Sequence, residues 1–143
     1  MQPIDEVVRS YLAAGDAADY AALADLLHDD LVTHSPGGAT TFGVADNVAA
    51  WRTAHDGLDR LGHRVLSMVT AGETVAARVL VTGIHAGHFL GVPPTGAHLR
   101  VDQALFARLS GGRIVELWEI VDTGSGLQQI GVLGDQDLGP APG

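Results

Sequence analysis

Proton-transfer chemistry needs an ionisable side chain held away from water, and the last β-branched run of this chain offers one. Between Ile114 and Asp122 the even positions read Ile114, Glu116, Trp118, Ile120 and Asp122, and the odd ones Val115, Leu117, Glu119 and Val121. Alternate side chains of a strand share a face, so unbroken alternation would put Trp118 and Asp122 together. A carboxylate beside an indole and aliphatic groups loses hydration, its pKa rises, and it can take and return a proton near neutrality. Asp122 is the leading catalytic candidate on these grounds. It could equally cap a helix beginning near Gly126 or simply end the strand, and the residue types leave both readings open.

Two further side chains could act on an oxygen. Tyr11 lies on an apolar helical stripe, where its ring packs in the core; should a pocket open beside it, the hydroxyl is a ready donor to a carbonyl or enolate oxygen. His34 follows the short extended run Leu31 to Thr33, where a helical layer would meet a sheet. Among the seven histidines the only tight pair is His85 and His88, and three residues along a strand point two side chains to opposite faces, so no metal site is expected. Arg78 and Arg108 sit in apolar strands and are expected to pair with carboxylates such as Asp102, Glu116 or Glu119. Arg100 and Asp102 share a strand face, and with Asp122 they would make an acid, a base and an orienting group for epoxide opening.

Composition removes other reaction classes. All 8 basic residues are Arg, so no side-chain amine exists for a Schiff base, a pyridoxal linkage or a phosphate loop. No cysteine is present, which excludes thiolate nucleophiles, disulfides and Cys-based metal centres. The acids number 17, giving a net charge of −9, and the scattered cations form no patch for nucleic acid or an anionic membrane. No Gly-x-Ser-x-Gly elbow occurs, and Gly124-Ser125-Gly126 continues as neither a dinucleotide nor a phosphate loop. The start of the chain, with two acids and no apolar run, is not a secretory signal, and a cytoplasmic location is expected.

These residues need elements to position them. At 143 residues the chain suits one domain with one core. Apolar positions Ile4, Val7, Val8, Tyr11 and Leu12 recur at helical spacing and predict a helix ending at Gly15. Asp19 is a predicted N-cap for a second helix through Leu27. The turn Ser35 to Gly38 follows, and a third helix spans Val44 to about Leu61, with Val48, Trp51 and Leu58 buried. Beyond Gly62, four strands are predicted over residues 63–70, 75–85, 99–109 and 113–122, joined as an antiparallel meander. A short helix over 127–133 closes the domain (residues 1–133), and the Gly/Pro tail 134–143 is expected to be flexible. Helices followed by strands give an α+β fold in which helices cover one face of a curved antiparallel sheet and can enclose a pocket.

Four stretches carry a family resemblance: Asp30 to Gly37; Thr82 to Gly96, with its Gly-Ile-His-Ala-Gly-His-Phe-Leu-Gly-Val-Pro-Pro core; Gly112 to Asp122; and Leu127-Gln128-Gln129-Ile130-Gly131. In this order they resemble the SnoaL-like polyketide cyclases of the nuclear-transport-factor-2 (NTF2-like) superfold, from about Val7 to Leu133. The resemblance implies a cone-shaped α+β barrel, a homodimer or homotetramer, and an enclosed hydrophobic pocket. It also implies that the carboxylate at Asp122 is the acid/base of an intramolecular aldol closure. Tyr11 falls where the related ketosteroid isomerases carry an oxyanion tyrosine, but Ser35 replaces their catalytic aspartate and neither Ala104 nor Leu105 can be their second acid. Isomerase chemistry is therefore disfavoured.

The resulting expectation is cofactor-independent ring closure of a small hydrophobic or polycarbonyl substrate. Asp122, His34 and Tyr11 would be catalytic, and Trp51, Trp118, His85, Arg108 and Phe106 would line the substrate site. Epoxide opening through Asp102, Arg100 and Asp122 is the alternative, and a non-catalytic binding protein a third.

Overall fold

The computed structural model describes residues 2–132; the expected tail 134–143 lies outside them. Helix α1 (Ile4–Asp16) starts with Asp5 and Glu6 in its first turn, where carboxylates suit the positive end of the helix. It buries Val7, Val8, Tyr11 and Leu12, each large apolar side chain contributing about 1.5–3 kcal/mol. Helix α2 (Tyr20–Asp25) follows, capped as predicted by Asp19, whose side chain accepts from the Ala22 amide. Then come β1 (Leu27–His34), β2 (Thr40–Phe42), α3 (Gly43–Gly57), β3 (Leu58–Ala71), β4 (Thr74–His85), β5 (His98–Ser110), β6 (Arg113–Val121) and α4 (Thr123–Gln129).

The six strands form one sheet in the order β2-β1-β6-β5-β4-β3. The expected α+β architecture is present, with the sheet curved but open. The meander β3 to β6 is antiparallel as predicted, but β1 runs parallel to β6, with His34 beside Trp118. The strand β2 was not foreseen, being three residues of a turn-rich segment held by pairing to β1. The third helix is shorter than predicted, ending at Gly57, because Leu58 already takes an extended conformation. The closing helix likewise starts earlier, at Thr123.

Register shifts in β3 between Asp59 and Gly62 and between Val65 and Ser67 bend the sheet around the helices. One further shift matters for function. In the β5–β6 pair, Leu109 faces Ile114 and Arg108 faces Glu116, leaving Val115 as the extra residue. A one-residue slip moves every later side chain to the opposite face. Ile114 is buried, and beyond the bulge it is Leu117, not an even-numbered residue, that is fully buried. No helix among the described residues is long and apolar enough to cross a membrane.

Candidate active site

The helices and the concave sheet face line a half-open cavity of about 220 Å³, walled by α1, α3, β3 to β6, the start of α4 and the loop after β4, with Thr33 of β1, Pro36 and Thr41 of β2 also on its lining. Tyr11, Trp51 and Asp122 border it. The other anticipated residues do not. Because of the bulge at Val115, Trp118 lies on the outer sheet face, in one row with His34 and Phe106. There the His34 ring stacks on Trp118 at 5.3 Å, and His34 Nε2 donates to Glu116 Oε2 at 2.8 Å. Arg108 binds the same carboxylate at 3.1 Å through a terminal guanidinium nitrogen, the partner anticipated for it. His34, Trp118, Phe106 and Arg108 are thus corrected from site to outer-face residues.

His85 is fully buried but belongs to the framework. Its Nδ1 accepts from the Thr95 hydroxyl at 2.8 Å, and its Nε2 donates to the Val92 carbonyl at 3.2 Å. Those bonds fold the loop that presents Phe89 and Leu90 to the cavity. Asp102 is exposed on the outer face, 4.0 Å from Arg78. The epoxide-opening reading accordingly loses its base.

Asp122 stands at the cavity rim with its carboxylate already engaged. The Ser125 amide and hydroxyl donate to its two oxygens at 3.1 and 2.7 Å, and it caps α4. These two bonds hold its pKa below the ordinary carboxylate value, the reverse of the expected rise. The alternative left open, a helix cap, is the one the structure shows.

The carboxylate that does face the cavity is Glu119, brought inward by the bulge together with Val121. Desolvation pushes its pKa up, and the charge of His63 opposes that rise. His63 lies at the start of β3. Its Nδ1 donates to Asp16 Oδ1 at 2.6 Å while its own amide donates to Asp16 Oδ2 at 2.8 Å. A carboxylate gripped on Nδ1 fixes the ring orientation and leaves Nε2 as the free nitrogen. His63 packs edge-on against Trp51 with centroids 5.1 Å apart.

Tyr11 completes the group. Asn47 Nδ2 and Trp51 Nε1 both donate to its oxygen, at 2.9 and 3.1 Å. A phenol that accepts twice has its own hydrogen left to give. Burial, followed by the Glu119 charge, raises its pKa far above the ordinary tyrosine value, so it stays neutral and acts as a donor. A desolvated carboxylate with a raised pKa, a carboxylate-supported histidine and a neutral hydroxyl donor therefore line one apolar cavity.

Glu119 and His63 were missed from sequence. For Glu119 the residue types left an even choice, since Val115, Leu117 and Val121 make its row about as apolar as the row of Ile114, Trp118 and Ile120, and only the slip at Val115 decides which row turns inward. His63 offered no signal, since its partner Asp16 is 47 residues away.

Comparison with solved structures gives close matches of shape. IdmH of Streptomyces antibioticus, described as a candidate polyketide cyclase, is 28% identical with a TM-score of 0.83, covering 92% of this chain and 100% of its own. AclR of Streptomyces galilaeus, described as a candidate hydroxylase, is 25% identical with a TM-score of 0.81, covering 92% and 83%. A candidate SnoaL-like polyketide cyclase of Jannaschia sp. CCS1 shares the fold at 21% identity and a TM-score of 0.84, covering 94% and 98%. A search of the curated proteins finds no match. The SnoaL-like polyketide cyclase family matches residues 5–130, which takes in every element from the first turn of α1 to the end of α4 and with them the cavity wall. The chain belongs to the SnoaL-like polyketide cyclase family.

Proposed function

We propose that this protein closes a ring in a small polycarbonyl compound by acid/base catalysis without a cofactor, with Glu119 as the proton carrier. One observation supports this above the rest: Glu119 lies in an apolar cavity beside Tyr11 and His63, and its pKa is raised by desolvation. A carbon between two carbonyls is acidic enough for such a base. The Glu119 carboxylate takes its proton, and the C–H electron pair becomes the enolate. That carbon attacks a second carbonyl carbon, forming the C–C bond, and the carbonyl π pair moves onto oxygen. Glu119 returns the proton to this oxygen, so the product is an isomer of the substrate and no redox partner is needed.

Tyr11 donates to the oxygen on which charge develops, held in place by Asn47 and Trp51. His63, oriented by Asp16, balances the charge on Glu119 when the carboxylate is ionised. Trp51, Phe89 and the aliphatic wall exclude water and keep the chain folded for attack. An apolar cavity of roughly 150 Å³ holds one benzene, so about 220 Å³ suits a two-ring product rather than a tetracycle.

The test is turnover of a short β-polyketo ester, followed by absorbance of the cyclised product. Glu119→Gln should lower kcat by about 10²–10⁴-fold, the usual contribution of a positioned acid/base. Asp122→Asn should stay within about tenfold of the parent, since that carboxylate only caps a helix and lines the rim. The opposite ranking would return the role to Asp122.

A further inference from the structure

Two polar atoms in the cavity wall have no use in the proton transfer just described. Gln103, on β5, is 5% exposed and Asn47, on α3, is 3% exposed, and both line the cavity. Gln103 Oε1 and Asn47 Oδ1 are buried with no hydrogen-bond partner among the described residues. The Asn47 amide nitrogen is already given to Tyr11. Gln103 pairs across the sheet with Val121, one inward position beyond Glu119. An orphaned buried acceptor costs the full desolvation of that group, and native proteins retain few of them. Where such atoms border a cavity, an occupant that donates hydrogen bonds relieves the cost.

We infer that Gln103 and Asn47 select a hydroxylated occupant, an enol or phenol of about two rings, over its all-keto or hydrocarbon counterpart. The inference rests on the site being the one that holds the substrate, and it names the substrate's functional groups. The division of labour is complementary: Tyr11 offers a hydrogen to a carbonyl oxygen, and the two amide oxygens accept hydrogens from hydroxyls. A hydrocarbon or methyl ether leaves both acceptors unpaired, and a site built to pair a hydroxyl rejects the analogue that lacks it. The apolar remainder of the wall works in the other direction. Without usable acceptors it would favour the methyl compound, because burying an unpaired hydroxyl is unfavourable.

The probes are 2-naphthol and 2-methylnaphthalene, two-ring compounds in which a hydroxyl and a methyl group of similar size are exchanged. Binding is measured by calorimetry without turnover. The parent protein should bind 2-naphthol more tightly than 2-methylnaphthalene, by about tenfold. Gln103→Met keeps the side-chain length and removes the acceptor; it should reduce that ratio by about tenfold and leave 2-methylnaphthalene binding unchanged or tighter. Gln103→Leu should do the same, which guards against a folding defect in either variant, and the melting temperature of both should equal or exceed the parent's. Three results would overturn the inference: preference for the methyl compound in the parent, a ratio untouched by both variants, as a resident water on the acceptors would give, or failure of both probes to bind. Because no chemistry is read, loss of the Glu119 assignment in the turnover experiment would leave this outcome standing, and the reverse holds as well.

Discussion

Asp122 and Glu119 show how two carboxylates a few residues apart acquire opposite properties. Asp122 receives two hydrogen bonds from Ser125, which favour its charged form, and solvent reaches it. Glu119 is desolvated by apolar neighbours, which favours its neutral form, and only the charge of His63 pulls the other way. Replacing Asp122 with Ala should therefore cost stability, by about 1 kcal/mol as for other lost N-caps, read as a lower urea midpoint at an unchanged slope. The same substitution should leave Glu119-dependent turnover largely intact. Chemistry-bearing residues were legible where a local signal existed: Tyr11 by helical spacing, Trp51 by its buried position, Asp122 as a cap among open readings. Which face Trp118 took was not legible, because Leu117 and Val121 make the odd row of the last strand about as apolar as the even row, and only pairing with β5 reveals the slip at Val115.

At the level of elements, the site depends on how closely α1 approaches α3. Gly15 sits near the end of α1 against the indole of Trp51, and a Cβ there would overlap the Trp51 ring. The Gly15 carbonyl also accepts from His55 Nε2 on α3 at 2.8 Å. In an exposed helix Gly→Ala gains about 1 kcal/mol, but overpacking a core costs about 1–3 kcal/mol. Overlap with a rigid indole sets the sign here. Gly15→Ala should destabilise, and by displacing Trp51 it should also remove a donor from Tyr11. A melting curve together with the KM and kcat of the same variant checks both effects; a more stable variant would refute the close approach. Helices and the β3–β6 meander were readable because periodicity and hairpin breaks are local. The pairing of β1 with β6, the short β2 and the end of α3 at Gly57 depend on partners far along the chain, and residue types alone do not encode them.

Over the whole molecule, acids outnumber bases by nine charges, and groups with shifted pKa values pull the pH dependence of stability in two directions. Glu116 is held below its ordinary value, first by the hydrogen bond from His34 and then by Arg108, and Asp122 by Ser125. Their contributions are present above the ordinary carboxylate range and are lost as pH falls through the lowered values. Glu119 acts in the opposite sense. Its folded pKa is raised, so its contribution is complete below the ordinary value of 4.5 and is lost as pH rises through the raised one. General self-repulsion of an acidic protein also grows with pH, but it is spread over the surface and screened by salt. Glu119→Gln separates the two effects, because a neutral amide cannot ionise in the cavity. Melting curves of parent and variant between about pH 4 and 8, at about 0.5 M salt to suppress surface terms, should show the variant gaining on the parent as pH rises. The gain should level off once Glu119 is fully ionised. A constant difference across the range would mean that Glu119 titrates like a solvated carboxylate, and the cavity would then lack the dry environment that its proposed proton transfer requires.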